Sequence, residues 1–101
     1  MAMRLIGTKL IDDYYRKHAQ AKGPLEAWVA EVKSASWKHL NDLKGRFPSA
    51  DYYDGYVIFN IGGNNHRLVA QVEFKMGVLV VRWIGTHAEY DKKNSKGGFK
   101  L

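Results

Sequence analysis

Two hydrophobic periods divide the chain. Over residues 10–21, Leu10, Tyr14 and His18 recur at steps of four, which predicts a helix. Gly23-Pro24 ends that helix and opens a second. There Leu25, Trp28, Val29 and Val32 stand at i, i+3, i+4 and i+7, the apolar stripe of an amphipathic helix. Residues 37–47 continue the helical half, and Phe47-Pro48-Ser49 closes it. The pattern then changes. Residues 56–61, 66–75 and 78–84 are rich in Val, Ile and Phe and are parted by Gly62-Gly63-Asn64 and Met76-Gly77, which predicts three strands in two hairpins. Residues 3–8 read as a short opening strand.

Two-residue loops at Gly63-Asn64 and Met76-Gly77 fix a register. Phe59 then faces Leu68 and Val57 faces Ala70, while Val72 faces Val81, Phe74 faces Leu79 and Ala70 faces Trp83. These residues make one apolar side. On the other side Asn60, Arg67 and Thr86 line up, as do Tyr56, Gln71 and Arg82. A slip of one residue buries the polar set, so the pleat supports this pairing. The expected fold is α+β, a mainly antiparallel β-sheet with two N-terminal helices packed on one face and a short C-terminal helix.

At 101 residues the chain is expected to form a single domain with one two-layer core. Sixteen Lys and Arg against ten Asp and Glu give a net charge of +6, which fits nucleic acid, an acidic protein or an anionic membrane surface as partner. The absence of cysteine excludes disulfides and thiolate chemistry. The longest apolar run, Val78 to Val81, is too short to span a bilayer, and Met1 to Arg4 lacks a signal core, so the cytoplasm is the expected compartment. Residues 93–101 are lysine-rich without an acid and read as a basic, flexible tail.

Candidate chemistry gathers after the third strand. Thr86 and Glu89 form a capping box, predicting a helix from Thr86 with His87 in its first turn. Tyr90 and Asp91, three and four positions on, can share a face with His87, and Lys92 follows. Beside them Arg67 and Arg82 offer planar forks suited to phosphate, although a polar sheet face is as often plain solvent surface. Such a set suits metal-free phosphodiester cleavage. A ribose 2′-OH attacks its own 3′-phosphate while one group takes its proton, another protonates the leaving oxygen and cations stabilise the phosphorane. His18 and His39 read as surface or half-buried helix residues, and His66 points away from Arg67. The four histidines lack ligand spacing, so neither metal nor cofactor is expected. Trp28 and Trp37 read as packing residues, and Gly62-Gly63 as a turn, since no helix follows it.

Taken together, Phe47-Pro48-Ser49-Ala50-Asp51, Phe59-Asn60-Ile61-Gly62-Gly63-Asn64, Arg67-Leu68-Val69 and Gly85-Thr86-His87-Ala88-Glu89-Tyr90-Asp91-Lys92 resemble the HigB toxins of type II toxin–antitoxin modules, within the RelE/ParE superfamily. The resemblance covers residues 4–93 in order and spacing. It implies a RelE-like fold and an endoribonuclease that cleaves mRNA, commonly on the translating ribosome. It also implies a HigA-like helix-turn-helix antitoxin as partner, through which alone the complex reaches operator DNA. Carried over by position, Arg67 and Arg82 hold the phosphate, His87 and Tyr90 are the acid–base candidates, and Asp91 orients. Asn64 and Lys92 join them as RNA contacts, and the net-positive stretch that follows Val32 adds Lys38 and Lys44. Two other classes compete: a non-catalytic gyrase poison of the same superfamily, and a simple nucleic-acid-binding module. The arginine-bearing face with His87 and Tyr90 favours the nuclease, since a binder does not need an acid–base pair.

Overall fold

The computed structural model describes residues 2–94. After strand β1 (Arg4–Ile6) come helix α1 (Thr8–Lys17), a 3-10 turn at Ala19–Ala21, and helices α2 (Lys22–Ser34) and α3 (Leu40–Arg46). Strands β2 (Asp51–Tyr53), β3 (Tyr56–Ile61), β4 (His66–Glu73) and β5 (Val78–Thr86) follow, and helix α4 (His87–Asn94) ends the described chain. The sheet runs β1-β5-β4-β3-β2, antiparallel except that β1 pairs with β5 in parallel.

The expected helical stripe is the core contact. Leu25, Trp28 and Val32 of α2 are buried together with Ile11 of α1 and Leu43 of α3. They pack on Val57, Phe59 and Ile61 of β3, Leu68 and Ala70 of β4, and Leu79 and Val81 of β5. Each Val, Leu, Ile or Phe among them contributes about 1.5–3 kcal/mol by leaving water, and together they hold the helices to this face of the sheet. Trp28 and Phe47 both meet the Phe59 ring edge-on with centroids 5.2 Å away, so Phe59 keys the helices to the sheet. Pro24 is tolerated because it lies in the first turn of α2, where no intrahelical N–H bond is lost.

The β3–β4 register is the expected one: Phe59 faces Leu68, Val57 faces Ala70 and Asn60 faces Arg67. The β4–β5 register is not. Its turn is the four-residue stretch 74–77, so Val72 faces Leu79, where a two-residue loop had paired it with Val81. One residue is then taken back at a bulge. Ala70 faces Val81 and Val69 faces Trp83, which leaves Arg82 without a Cα partner. The corrections are specific: Gln71 faces Val80 rather than Arg82, Arg67 faces Gly85 rather than Thr86, and Trp83 leaves the core side. It joins Ile58, Val69, Tyr56 and Tyr90 in a second apolar cluster on the face opposite the helices.

Strand β2 has no counterpart in the sequence expectation. Its three residues lie exposed at the sheet edge and show no alternation to read. The predicted first helix also divides, ending at Lys17 before the Ala19–Ala21 turn. The expected basic tail falls almost wholly outside the described residues.

Candidate functional site

The loop of residues 62–65 joins β3 to β4, and Gly62 and Gly63 take φ of 63° and 68°, a left-handed pair that L side chains enter only at a cost. That turn delivers Asn64 to Arg67. The Asn64 Oδ1 accepts a bond from Arg67 Nη2 at 2.6 Å, and its carbonyl accepts one from Nη1 at 3.2 Å. The His66 carbonyl takes a further Nη1 bond at 3.1 Å. Arg67 is therefore a clamped guanidinium, only 8% exposed, standing on the face away from the helices. Fixing a fork in advance removes the entropy cost of ordering it around an anion.

The same loop reaches the C-terminal helix. The Asn65 carbonyl accepts the backbone N–H of His87 at 2.9 Å. The predicted capping box is present: Thr86 N–H donates to Glu89 Oε1 at 2.8 Å and Glu89 N–H donates to Thr86 Oγ1 at 3.1 Å. One turn on, Asp91 Oδ2 lies 3.0 Å from His87 Nε2, with both side chains substantially open to solvent. An Nε2–H donated to that carboxylate leaves Nδ1 as the acceptor of the ring.

Tyr90 turns instead toward the sheet. Its ring centroid lies 6.4 Å from that of Trp83, and burial, reinforced by Asp51 and Asp91 and opposed by Arg67, raises the phenol above its ordinary value of 10.0. The phenol thus stays protonated, a donor. The structure brings Arg67, Asn64, His87, Asp91 and Tyr90 to one end of the sheet.

Three expected residues lie differently. Arg82 sits exposed at the bulge rather than across from Gln71. Lys44 Nζ donates to the Ala50 carbonyl at 2.6 Å, tying α3 to the approach of β2. Lys38 lines a surface cavity with His39, Tyr52, Glu73 and Lys75, at the far end of β4 from Arg67. Lys92 is exposed on α4.

Sequence reasoning passed over His66. It is buried on the helix side, and the Tyr14 hydroxyl lies 2.7 Å from its Nδ1. His18 stacks on Tyr14 with centroids 4.3 Å apart. Burial, then the charge of His18, lowers the His66 pKa below its ordinary 6.5, and burial raises Tyr14 to about 12. A neutral imidazole accepting from a neutral phenol thus pins the start of β4 from below, next to Arg67. The four-residue spacing of Tyr14 and His18 marked this face, yet nothing local showed that His66 completes it.

The fold and this site define a small α+β protein with a clamped arginine and a His–Asp pair hung on one loop. Similarity makes the class specific. Residues 21–93 match the model of the HigB toxins, described as the RelE-like toxic component of a toxin–antitoxin system. The chain is also 38% identical over 92 residues to the mRNA interferase toxin HigB of Escherichia coli strain K12, covering 88% of each. It is 27% identical over 93 residues to the mRNA interferase HigB of Escherichia coli O6:H1, covering 89% of this chain and 90% of the relative. The chain belongs to the HigB toxin family.

Proposed function

We propose that this protein is the toxin of a toxin–antitoxin pair and acts as an endoribonuclease that cuts mRNA, on the translating ribosome, in the cytoplasm. One observation carries the reading. The 62–65 loop grips the Arg67 fork through Asn64 and the start of the His87–Asp91 helix through Asn65, so a phosphate-binding cation and a histidine base are set by one short segment. A pure binding surface does not require that coupling. The membership of the family and the names of its relatives supply the substrate class.

In the proposed mechanism Arg67 faces the scissile phosphate with the N–H groups its clamp does not use, the second on Nη2 and that on Nε, and stabilises the charge that develops on it. His87 Nδ1 takes the proton of the ribose 2′-OH, and Asp91 holds the ring by Nε2–H and stabilises the imidazolium. The 2′-oxygen attacks phosphorus and the 5′-oxygen leaves with a proton from Tyr90, giving a 2′,3′-cyclic phosphate and a 5′-hydroxyl end. Arg82 and Lys92 add cations at the rim, and no step calls on a metal or cofactor. DNA lacks the 2′-OH and is not cut. The partner is a cognate HigA-like antitoxin, which carries the operator contacts.

The test is induction in bacteria, with 5′ ends of a reporter mRNA mapped by primer extension with and without translation. New ends only during translation, lost in Arg67→Ala, are expected. Growth arrest without new ends overturns the nuclease and makes gyrase the next target.

A further inference from the structure

The bulge at Arg82 changes which side Trp83 takes. Without it the strand's alternation carries Trp83 to the helix side. With it Trp83 pairs with Val69, two residues along β4 from Arg67, so both side chains leave the same face. Gly85 lies opposite Arg67, and a Cβ there falls within 2.5 Å of Trp83 Cζ2 and also overlaps Cη2. The indole therefore lies along the strand over Gly85, beside the point where Arg67 leaves β4. Only glycine leaves it that room. Lys93 Nζ stands 5.9 Å from the ring centroid, and Tyr90 flanks it.

A tryptophan that serves only to dock α4 does not need to reach along its own strand toward the clamped arginine. This one remains partly exposed, while the other two are buried in the core at 2% and 7% exposure. Single-stranded RNA is recognised chiefly by unstacked bases laid on aromatic rings beside cations.

We propose that Trp83 is a nucleobase platform: it stacks an unpaired base of the RNA next to the phosphate held by Arg67, and so shapes which nucleotide flanks the cut. This rests on the nuclease reading above and adds the subsite that reads the substrate. Arg67 grips the backbone, which every sequence shares. The ring responds to stacking strength, which differs between purines and pyrimidines. Gly85 is the positioning residue that keeps the ring seated.

Two measurements test it. Cut sites across the transcripts are mapped after inducing the unmodified protein, Trp83→Leu and Trp83→Phe. Trp83→Leu is expected to cut about ten- to a hundredfold more slowly and to lose base preference beside the cut. Trp83→Phe keeps a ring and retains most of both. Circular dichroism and thermal unfolding check that the variants are folded. Independently, a short single-stranded RNA with one 2′-deoxy sugar at the cut position is titrated into the unmodified protein. Quenching of tryptophan fluorescence as it binds supports the platform, because Trp28 and Trp37 are shielded in the core. Unchanged rate and base preference in folded Trp83→Leu overturn the platform and leave the nuclease standing, as does saturable binding without quenching if Trp83→Leu does not fold. An unmodified protein that cuts nothing overturns the nuclease, and this inference with it.

Discussion

A guanidinium that is nearly buried has to be held by acceptors or it costs more than it contributes. For Arg67 those acceptors are three oxygens, two of them from Asn64. The Asn64 side chain makes the shortest of the bonds, and it accepts from a charged donor, the stronger kind. Replacing it with alanine leaves the two backbone acceptors and releases the outer nitrogen. Asn64→Ala is therefore expected to lower the cleavage rate about tenfold, in line with the 1.5–3 kcal/mol typical of a bond to a charged group. Because that bond also supports a nearly buried charge, the unfolding midpoint is expected to fall by several degrees, and rates are compared at a temperature where every variant is folded. Asn64→Asp keeps an oxygen at the same position and is expected to restore most of the rate. Initial rates for the three proteins on one RNA decide it, and equal rates for Asn64→Ala and the unmodified protein remove the clamp from the mechanism.

At the scale of elements, α1 and β4 are joined by the Tyr14–His66 bond, and its two partners set a pH window. His66 has a folded-state pKa below its ordinary 6.5, so unfolding takes up protons below that pH. Its contribution is complete above about 6.5 and is lost as pH falls. His18 resists the same protonation by its own charge. Tyr14 works at the other limit. Raised from 10.0 to about 12, it loses its contribution as pH climbs between those values, and Tyr90 has the same sign. Urea unfolding across pH is expected to show a plateau from about 6.5 to 10 with falls on both sides. Tyr14→Phe flattens the alkaline fall, and an unchanged alkaline limb counts against this bond as its source.

The same elements show how far a sequence can be read. The helices, the β3–β4 pairing and the Thr86–Glu89 box were legible because each rests on neighbours within a few residues: a stripe, a glycine turn, a cap. The β4–β5 pairing was not. A four-residue turn and a bulge at Arg82 shift it by different amounts, and the bulge keeps Leu79, Val81 and Ile84 together on the helix side, a demand of packing that no local pattern states. Of the site, Arg67, His87, Tyr90 and Asp91 were named from spacing and resemblance. Trp83 was assigned to the wrong face, and His66 was set aside, because each owes its place to a partner far away in the chain.

At the scale of the whole molecule, cations stand at both ends of the sheet among the described residues. Arg67 and the α4 lysine Lys92 belong to one end of the sheet. Lys38 and Lys75 belong to the other, beside Glu73 and Tyr52. Arg67 and Glu73 are six residue steps apart along β4, roughly 20 Å at about 3.3 Å per residue. The cavity at Lys38 opens on the side of Val72 and Phe74, which pack toward the helices, so an RNA seated on Arg67 has to round the edge or the far end of the sheet to reach it. Length of substrate therefore separates the two groups. Lys92→Ala is expected to weaken binding of RNA of any length, and to shrink the slope of log affinity against log salt by about 0.7. Lys38→Ala leaves a short RNA centred on the cut site unaffected and lowers affinity only for one long enough to round the edge. Titrations of a short and a long uncleavable RNA at several salt concentrations measure both. Equal losses on the short RNA place Lys38 in the path of the nucleotides at the cut itself, which this arrangement of the sheet does not allow.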